Sequence, residues 1–307
     1  MSALRVLQDE FLGTPDSLFH LPAFHRMHRA ERPGAYFELF DGRQVRASIH
    51  FTKGEGAVWR SPARGTFGGL WADPELTLAE VQNFLLEVDA RLLAAGARRA
   101  EVIPMPQAHD PVGFARSVYL LRGLGYEIEG CDLNHSLAVD GRPLAERMSY
   151  GNRKRLKKCL SEGLAAQELA RTELSPVYQT LAKNREAKGW QLSMTLQQVE
   201  DMANRFSDRL LLFGVPAGDA LVAAALCLSL SKDVLYVFYW GDRPGFSTAS
   251  PVVALAECIY RHCQRERYAL LDVGTSTIDR EPNHGLIRFK QGLGFSESLK
   301  LRLFKTF

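Results

Sequence analysis

Hydrophobic residues dominate Ala35 to Phe40 and alternate with polar ones from Gln44 to Phe51 in "AYFELFDGRQVRASIHF", and the two runs flank Asp41-Gly42. Two β-rich segments around an Asp-Gly pair predict a hairpin, because glycine takes the positive φ of a tight turn without steric penalty. A further strand is expected near Gly56 to Trp59, followed by the glycine-rich "SPARGTFGGLW". The period then changes. Leu78, Val81, Leu85, Val88 and Leu92 fall at helical spacing behind Thr77-x-x-Glu80, a capping box that satisfies the first free N–H groups of a helix. A short strand "AEVIP", a second helix closing at Gly123-Leu124-Gly125 and a strand pair to about Val139 complete the first half.

The second half runs in the same order. "RLLLFGV", "ALVAAALCLSL" and "VLYVFYW" predict three strands separated by Pro-Ala-Gly-Asp and Ser-Lys-Asp turns. A helix is expected from Ser250-Pro251, with serine capping and proline in the first turn, and with Val252, Leu255, Ala256, Ile259 and Cys263 on its core face. The strand "ALLDVG", the helix "GLIRFKQGLG" and the strand "ESLKLRLF" follow. Each half reads hairpin, strand, helix, strand, helix, strand, so the fold class is α/β with a mixed sheet.

The two halves also share residues. Trp71 and Trp240 are 169 positions apart, as are Gly123 and Gly292, and Val102 and Val273 are 171 apart. Ordered anchors at nearly one offset indicate two copies of a single unit. The expected organisation is therefore 1–139 as a first domain, 140–208 as a basic helical linker, and 209–307 as a second domain. Within the linker, "SYGNRKRLKKCLSEGL", a helix from Ser175-Pro176 and a third behind Thr195-x-x-Gln198 carry the apolar stripes Leu156/Cys159/Leu160 and Leu174/Val177/Leu181, so the segment is expected to pack.

Composition narrows the class. The 307 residues are 46% hydrophobic and 24% charged, with net charge +3, which is ordinary for a globular chain and does not mark a nucleic-acid binder by itself. Five cysteines, with no Cys-x-x-Cys, argue against a disulfide framework or a zinc site and for a reducing, cytoplasmic setting. The N-terminus lacks a signal-peptide core, and no apolar run is long enough to span a membrane. No nucleophile triad, His-Glu-x-x-His or Ca-loop pattern occurs, so neither a metal nor a covalent enzyme intermediate is expected.

The order of elements, with "NRKRLKK", "LAKNREAKGW", "YVFYWGDRPGFSTASPVVAL" and "YALLDVGTS…NHGLIRFKQGLGF", resembles the tandem GNAT acyltransferases of the FemABX-like and BioF2-like families from about Tyr36 onward. Two features depart from those families. The long coiled-coil insertion of larger Fem proteins is missing, and Asp242-Arg243-Pro244-Gly245 stands where ordinary GNAT enzymes carry their pyrophosphate loop. The resemblance implies transfer of an activated acyl group to an amine, with no tightly bound cofactor. The co-substrate is aminoacyl-tRNA, the preferred reading, or acyl-CoA. The acceptor is an amine-bearing peptide, such as a cell-wall precursor, or a small molecule. The alternatives are an acyl-CoA-dependent N-acetyltransferase of a small amine, and a non-catalytic peptide- or RNA-binding module.

The candidate residues follow. Lys290 occupies the position that Leu121 holds in the first copy, so the second copy accepts a cation where its twin accepts carbon. It is read as facing a cleft, where it would steady an oxyanion or phosphate; a solvated lysine beside a core Phe289 is the plainer alternative. Asp272 and Tyr239 are the other catalytic candidates, the first ending a strand and the second on the aromatic strand around Trp240. Arg153, Lys154 and Lys157, with Lys158, share a helical face suited to phosphate. Phe289 and Ser250 join them on the donor side. Arg64, Trp240 and His284 are assigned to the acceptor.

Overall fold

The computed structural model describes residues 4–29, 32–62, 65–246, 249–278 and 280–307. They form two units, one of residues 1–134, 279–281 and 298–307, the other of 135–278 and 282–297.

Unit 1 opens with β1 (Arg5–Gln8) and α1 (Pro22–Arg29), then the hairpin β2 (Gly34–Phe40) and β3 (Val45–Lys53). The turn forms at Asp41, whose carboxylate accepts the N–H groups of Arg43 and Gln44 at 2.8 and 2.9 Å, while Gly42 takes φ 93°. β4 (Val58–Ser61), β5 (Trp71–Ala72), α2 (Leu78–Ala94), β6 (Arg99–Val102), α3 (Pro111–Gly123) and β7 (Glu127–Ala138) follow. The Thr77/Glu80 capping box starts α2, and Val81, Phe84, Leu85, Val88 and Leu92 enter the core. Leu78 does not: it stands at the first helical position and is 44% exposed. β3 lies between β2 and β4, β4 runs parallel to β6, and β5 pairs with β3.

Unit 2 contains α4 (Leu144–Arg147), α5 (Tyr150–Ser161), β8 (Gln167–Leu169), α6 (Leu174–Glu186), α7 (Leu196–Arg205), β9 (Leu210–Ala217), β10 (Ala220–Ser229), β11 (Val234–Asp242), α8 (Pro251–Glu266), β12 (Leu270–Thr275), β13 (Thr277–Ile278), β14 (Glu281–Pro282) and α9 (His284–Gly292). The strand β15 (Ser296–Thr306) ends the chain. The strand order is β12-β11-β10-β9-β8.

Two features of this division differ from the organisation expected from the repeat. Residues 140–208 belong to unit 2 rather than forming a separate linker. Leu156, Cys159 and Leu164 enter the same core as Val253, Ile259 and Leu293, and β8 adds a strand to β9. Leu160, expected on the apolar stripe, is 51% exposed. The chain also exchanges its last strands. β15 pairs antiparallel with β6, placing Leu303 against Val102 in the core of unit 1, while β7 enters unit 2 at His135. A sequence repeat marks the copies but not which core each terminal strand completes.

Candidate active site in the second unit

β11 and β12 pair in parallel at only three positions, Val234/Leu270, Leu235/Leu271 and Tyr236/Asp272. β11 continues to Asp242 without that partner. Its register against β10 slips at the same place: Leu226 faces Tyr239 and Cys227 faces Val237, leaving Phe238 as the extra residue of a bulge. A bulge re-aims side chains and bends a strand. The divergence opens a cleft of about 550 Å³ walled by Trp190, Phe238, Tyr239, Trp240 and Phe289. Backbone N–H and C=O groups freed in this way are donors and acceptors for an extended ligand.

In unit 1 the described residues beyond the matching strand pair, β4 and β6, return across the end of that pair. Beyond Ser61, a glycine-rich loop returns, Gly68 donates its N–H to the Ile103 carbonyl at 2.8 Å and bridges to Pro104, and Gly69 donates to Ser61 Oγ at 2.9 Å. Phe67 is buried there. Arg64, the residue expected to meet an anion in this loop, lies outside the described residues.

Lys290 lines the cleft and is 1% exposed, so it is not a solvated surface lysine. Its Nζ donates to the carbonyls of Gly274 and Thr275, each at 2.8 Å. Burial lowers its pKa to about 7, against a smaller upward pull from the Asp272 carboxylate. Leu121, its counterpart, is equally buried in unit 1. Asp272 is itself buried and accepts the Gly274 N–H at 2.6 Å. The carboxylate sits behind the β12 turn and is not among the residues that line the cleft. Tyr239 does line it; its hydroxyl pairs with Ser193 Oγ, and burial raises its pKa. Trp240 and Phe289 face each other at 6.1 Å between ring centroids.

Ser250 lines the cleft at the start of α8, but its side chain does not cap that helix; the residue takes a left-handed φ of 52° before Pro251. Val252, assigned to the core face by period, lines the cleft instead. His284 is exposed at the first position of α9, and Asn283 caps that helix by accepting the Leu286 N–H at 3.0 Å. Arg153, Lys154 and Lys157 are exposed on α5 and do not line the cleft. Arg153 donates to the Met148 carbonyl, and Lys154 lies 5.1 Å from the Tyr150 ring centroid. α5 nevertheless begins where the helix of Lys290 ends: the Ser149 N–H donates to the Gly292 carbonyl at 2.8 Å.

Among the charged or aromatic lining residues that escaped the sequence reading, three stand together. Arg185, Lys188 and Trp190 come from the end of α6 and the turn after it. Asn184 fixes that end by donating to the Asp242 carbonyl at 2.6 Å. The approach is close enough that a Cβ on Gly241 would lie 2.5 Å from the Asn184 side chain, so a larger residue there would displace the Asn184 amide. Arg185 is half-buried and has no ion pair among the described residues; burial lowers its pKa. Burial and the neighbouring Arg185 lower that of Lys188. The lining therefore carries Arg185, Lys188 and Lys290 against Asp242, an excess of positive charge that an anionic ligand would offset. The available signal was the pair of cations three residues apart before Trp190 in "NREAKGW".

Among the described residues no cluster of histidine, cysteine and carboxylate is placed to hold a metal, and no helix is long and apolar enough to cross a membrane.

The chain shares the fold of a tandem GNAT protein of known structure. The particular likeness is to the FemABX-like form. The crystal structure of FemX matches with a TM-score of 0.74 at 12% identity, over 97% of this chain and 95% of that one. L-PGS from Bacillus licheniformis matches with a TM-score of 0.59 at 13% identity, over 96% and 93%. A tandem GNAT protein from the clavulanic acid biosynthesis pathway matches with a TM-score of 0.57 at 12% identity, over 99% and 98%. No family model and no curated protein matches the sequence.

Proposed function

We propose that the protein is an acyltransferase that moves an aminoacyl group from aminoacyl-tRNA to the amine of a peptide or small molecule. The observation that carries this reading is the cleft of unit 2, with an amine at its base and two further cations on its wall. In this reading the donor's acyl group enters between β11 and β12. Its carrier phosphates meet Arg185 and Lys188. The exposed cations of α5 extend the contact to RNA, since each neutralised phosphate releases counterions and adds affinity. Lys290 and Tyr239 stand next to the reacting atoms, with Asp272 acting on Lys290 from behind. Trp240 and Phe289 stack against the donor or acceptor, Ser250 presents the start of α8, and His284 meets the acceptor; Arg64, the other acceptor candidate, lies outside the described residues.

The fold shared with FemX supports acyl transfer, and the charge on α5 and α6 favours an RNA carrier over coenzyme A. The second reading, acetyl-CoA-dependent transfer to a small amine, draws on the shared fold of the tandem GNAT protein. Both readings treat the copies 1–139 and 209–307 as descendants of one unit, with 140–208 recruited to the second.

Thermal denaturation with charged tRNA, uncharged tRNA and coenzyme A separates the two. Stabilisation by charged tRNA beyond uncharged tRNA supports the aminoacyl reading. A shift with micromolar coenzyme A and none with tRNA overturns it.

A further inference from the structure

We propose that Asp242 binds the α-ammonium group of the donor's aminoacyl moiety, so that the cleft of unit 2 selects aminoacyl donors over simple acyl or hydroxyacyl ones. This rests on the aminoacyl-transfer reading and names the part of the donor that the cleft recognises. Among the described residues Asp242 is the one carboxylate that lines the cleft, half-buried at the end of β11. Arg185, Lys188 and Lys290 line the same cleft, yet among the described residues no ion pair joins any of them to it.

The reason is that other groups hold two of those cations. Lys290 donates to the Gly274 and Thr275 carbonyls. Lys188 donates to Asn184 Oδ1 at 3.2 Å, and Asp242 acts on it only at longer range. Asn184 turns its other end to Asp242: Nδ2 lies 2.6 Å from the backbone carbonyl and 3.3 Å from the carboxylate. One amide therefore stands between Lys188 and Asp242 and keeps the ammonium from neutralising the acid. An ionised carboxylate offers about four lone-pair sites. A single long bond from a neutral amide leaves most of them for a ligand, and a carboxylate drawn partly out of water gains from a partner of opposite sign.

The ligand group that fits is a cation with N–H donors. Trp190 and Trp240 also line the cleft, and aromatic faces attract ammonium groups. Two amines meet in aminoacyl transfer, the acceptor's and the donor's. A carboxylate favours the protonated form of an amine beside it. The acceptor must be unprotonated to attack, so Asp242 would oppose its reaction. The donor's α-amino group makes and breaks no bond and stays an ammonium throughout. It is attached next to the reacting carbonyl, so a carboxylate that fixes it also fixes that carbonyl. With carrier phosphates at Arg185 and Lys188, the donor then meets a matching charge at each of its own. Asp242 gives and takes no proton in the step.

Filter binding of alanyl-tRNA and of lactyl-tRNA, its deaminated counterpart with a hydroxyl in place of the ammonium, tests this at one salt concentration, with uncharged tRNA as reference. Wild type is expected to hold alanyl-tRNA about 10-fold or more tightly than lactyl-tRNA, the worth of one charge-assisted hydrogen bond. Asp242→Asn keeps the shape and an oxygen for Asn184, and is expected to abolish that preference through a loss confined to alanyl-tRNA. Taking the ratio of the two affinities cancels any change in general attraction to RNA. Equal affinity of wild type for the two esters, both above uncharged tRNA, overturns the role of Asp242 and needs no variant. A preference that survives in Asp242→Asn, or a variant that weakens both esters alike, also overturns it. Wild type that holds neither ester more tightly than uncharged tRNA instead overturns the aminoacyl-transfer reading beneath it.

Discussion

Lys290 and Leu121 are buried to the same extent at matching positions, and the difference between them is one nitrogen with two carbonyl partners. A buried amine is tolerated only where its N–H groups are satisfied, and the end of β12 provides that. Arg185 is the converse case: a guanidinium drawn half out of water with no carboxylate opposite it among the described residues. Removing it should relieve charge crowding on Lys188 while weakening an anionic ligand. Arg185→Ala is therefore expected to leave the thermal midpoint within a few degrees of wild type and to weaken charged-tRNA binding by about 10-fold, since one charge-assisted hydrogen bond is removed. Filter binding at fixed salt measures this, and unchanged affinity would remove Arg185 from the ligand site. Lys290 could be found in the sequence because the repeat supplied a control residue. For Arg185 the sequence offered only the two cations before Trp190; what places it at the cleft is Asn184 anchoring α6 against Asp242, a contact 58 positions apart.

At the scale of elements, the strands and capped helices were readable and their edges were not. Thr77, Thr195, Asp41-Gly42 and Pro251 each fix an element through local backbone chemistry, and each appears where expected. The bulge at Phe238 and the early end of the β11/β12 pairing depend on the neighbouring strands, so period two alone passed over them. The basic face of α5 was readable as charge, and the structure leaves it exposed. The helix is held by Ser149 at its N-cap and by Leu156 and Cys159 in the core, none of them on the charged face. Reversing Lys154, Lys157 and Lys158 to glutamate should therefore preserve the far-UV circular dichroism. It should also flatten the salt dependence of RNA binding, by about 0.7 in log–log slope for each single-strand phosphate no longer neutralised. An unchanged slope would show that α5 does not touch the nucleic acid.

At the scale of the whole molecule, the two units differ in how they bury titratable groups. Unit 1 encloses His20 and His50, both held neutral by burial, with pKa values of about 3 and about 4. Their hydrogen bonds to the Gly68 and Phe19 carbonyls oppose that fall only in part. The unfolded chain binds protons at these histidines below about pH 6.5, and the folded unit does not. Stability is therefore fully present above 6.5 and declines as pH falls toward 4, each histidine removing about 2 kcal/mol by pH 5. Thermal midpoints between pH 7 and 5 should drop in wild type and drop less in His50→Gln; a flat profile in wild type would contradict this. The strand exchange that places β15 in unit 1 was not readable, because Leu301 and Leu303 alternate correctly for either core.

The account turns on the second unit's cleft receiving the activated acyl group. The most direct measurement is photo-crosslinking with a tRNA charged with a benzophenone-bearing amino acid, followed by mapping of the modified peptides. The account predicts adducts within 185–190, 236–242 and 285–290, abolished by competition with unmodified aminoacyl-tRNA. Adducts confined to unit 1, or none at saturating donor, would contradict it.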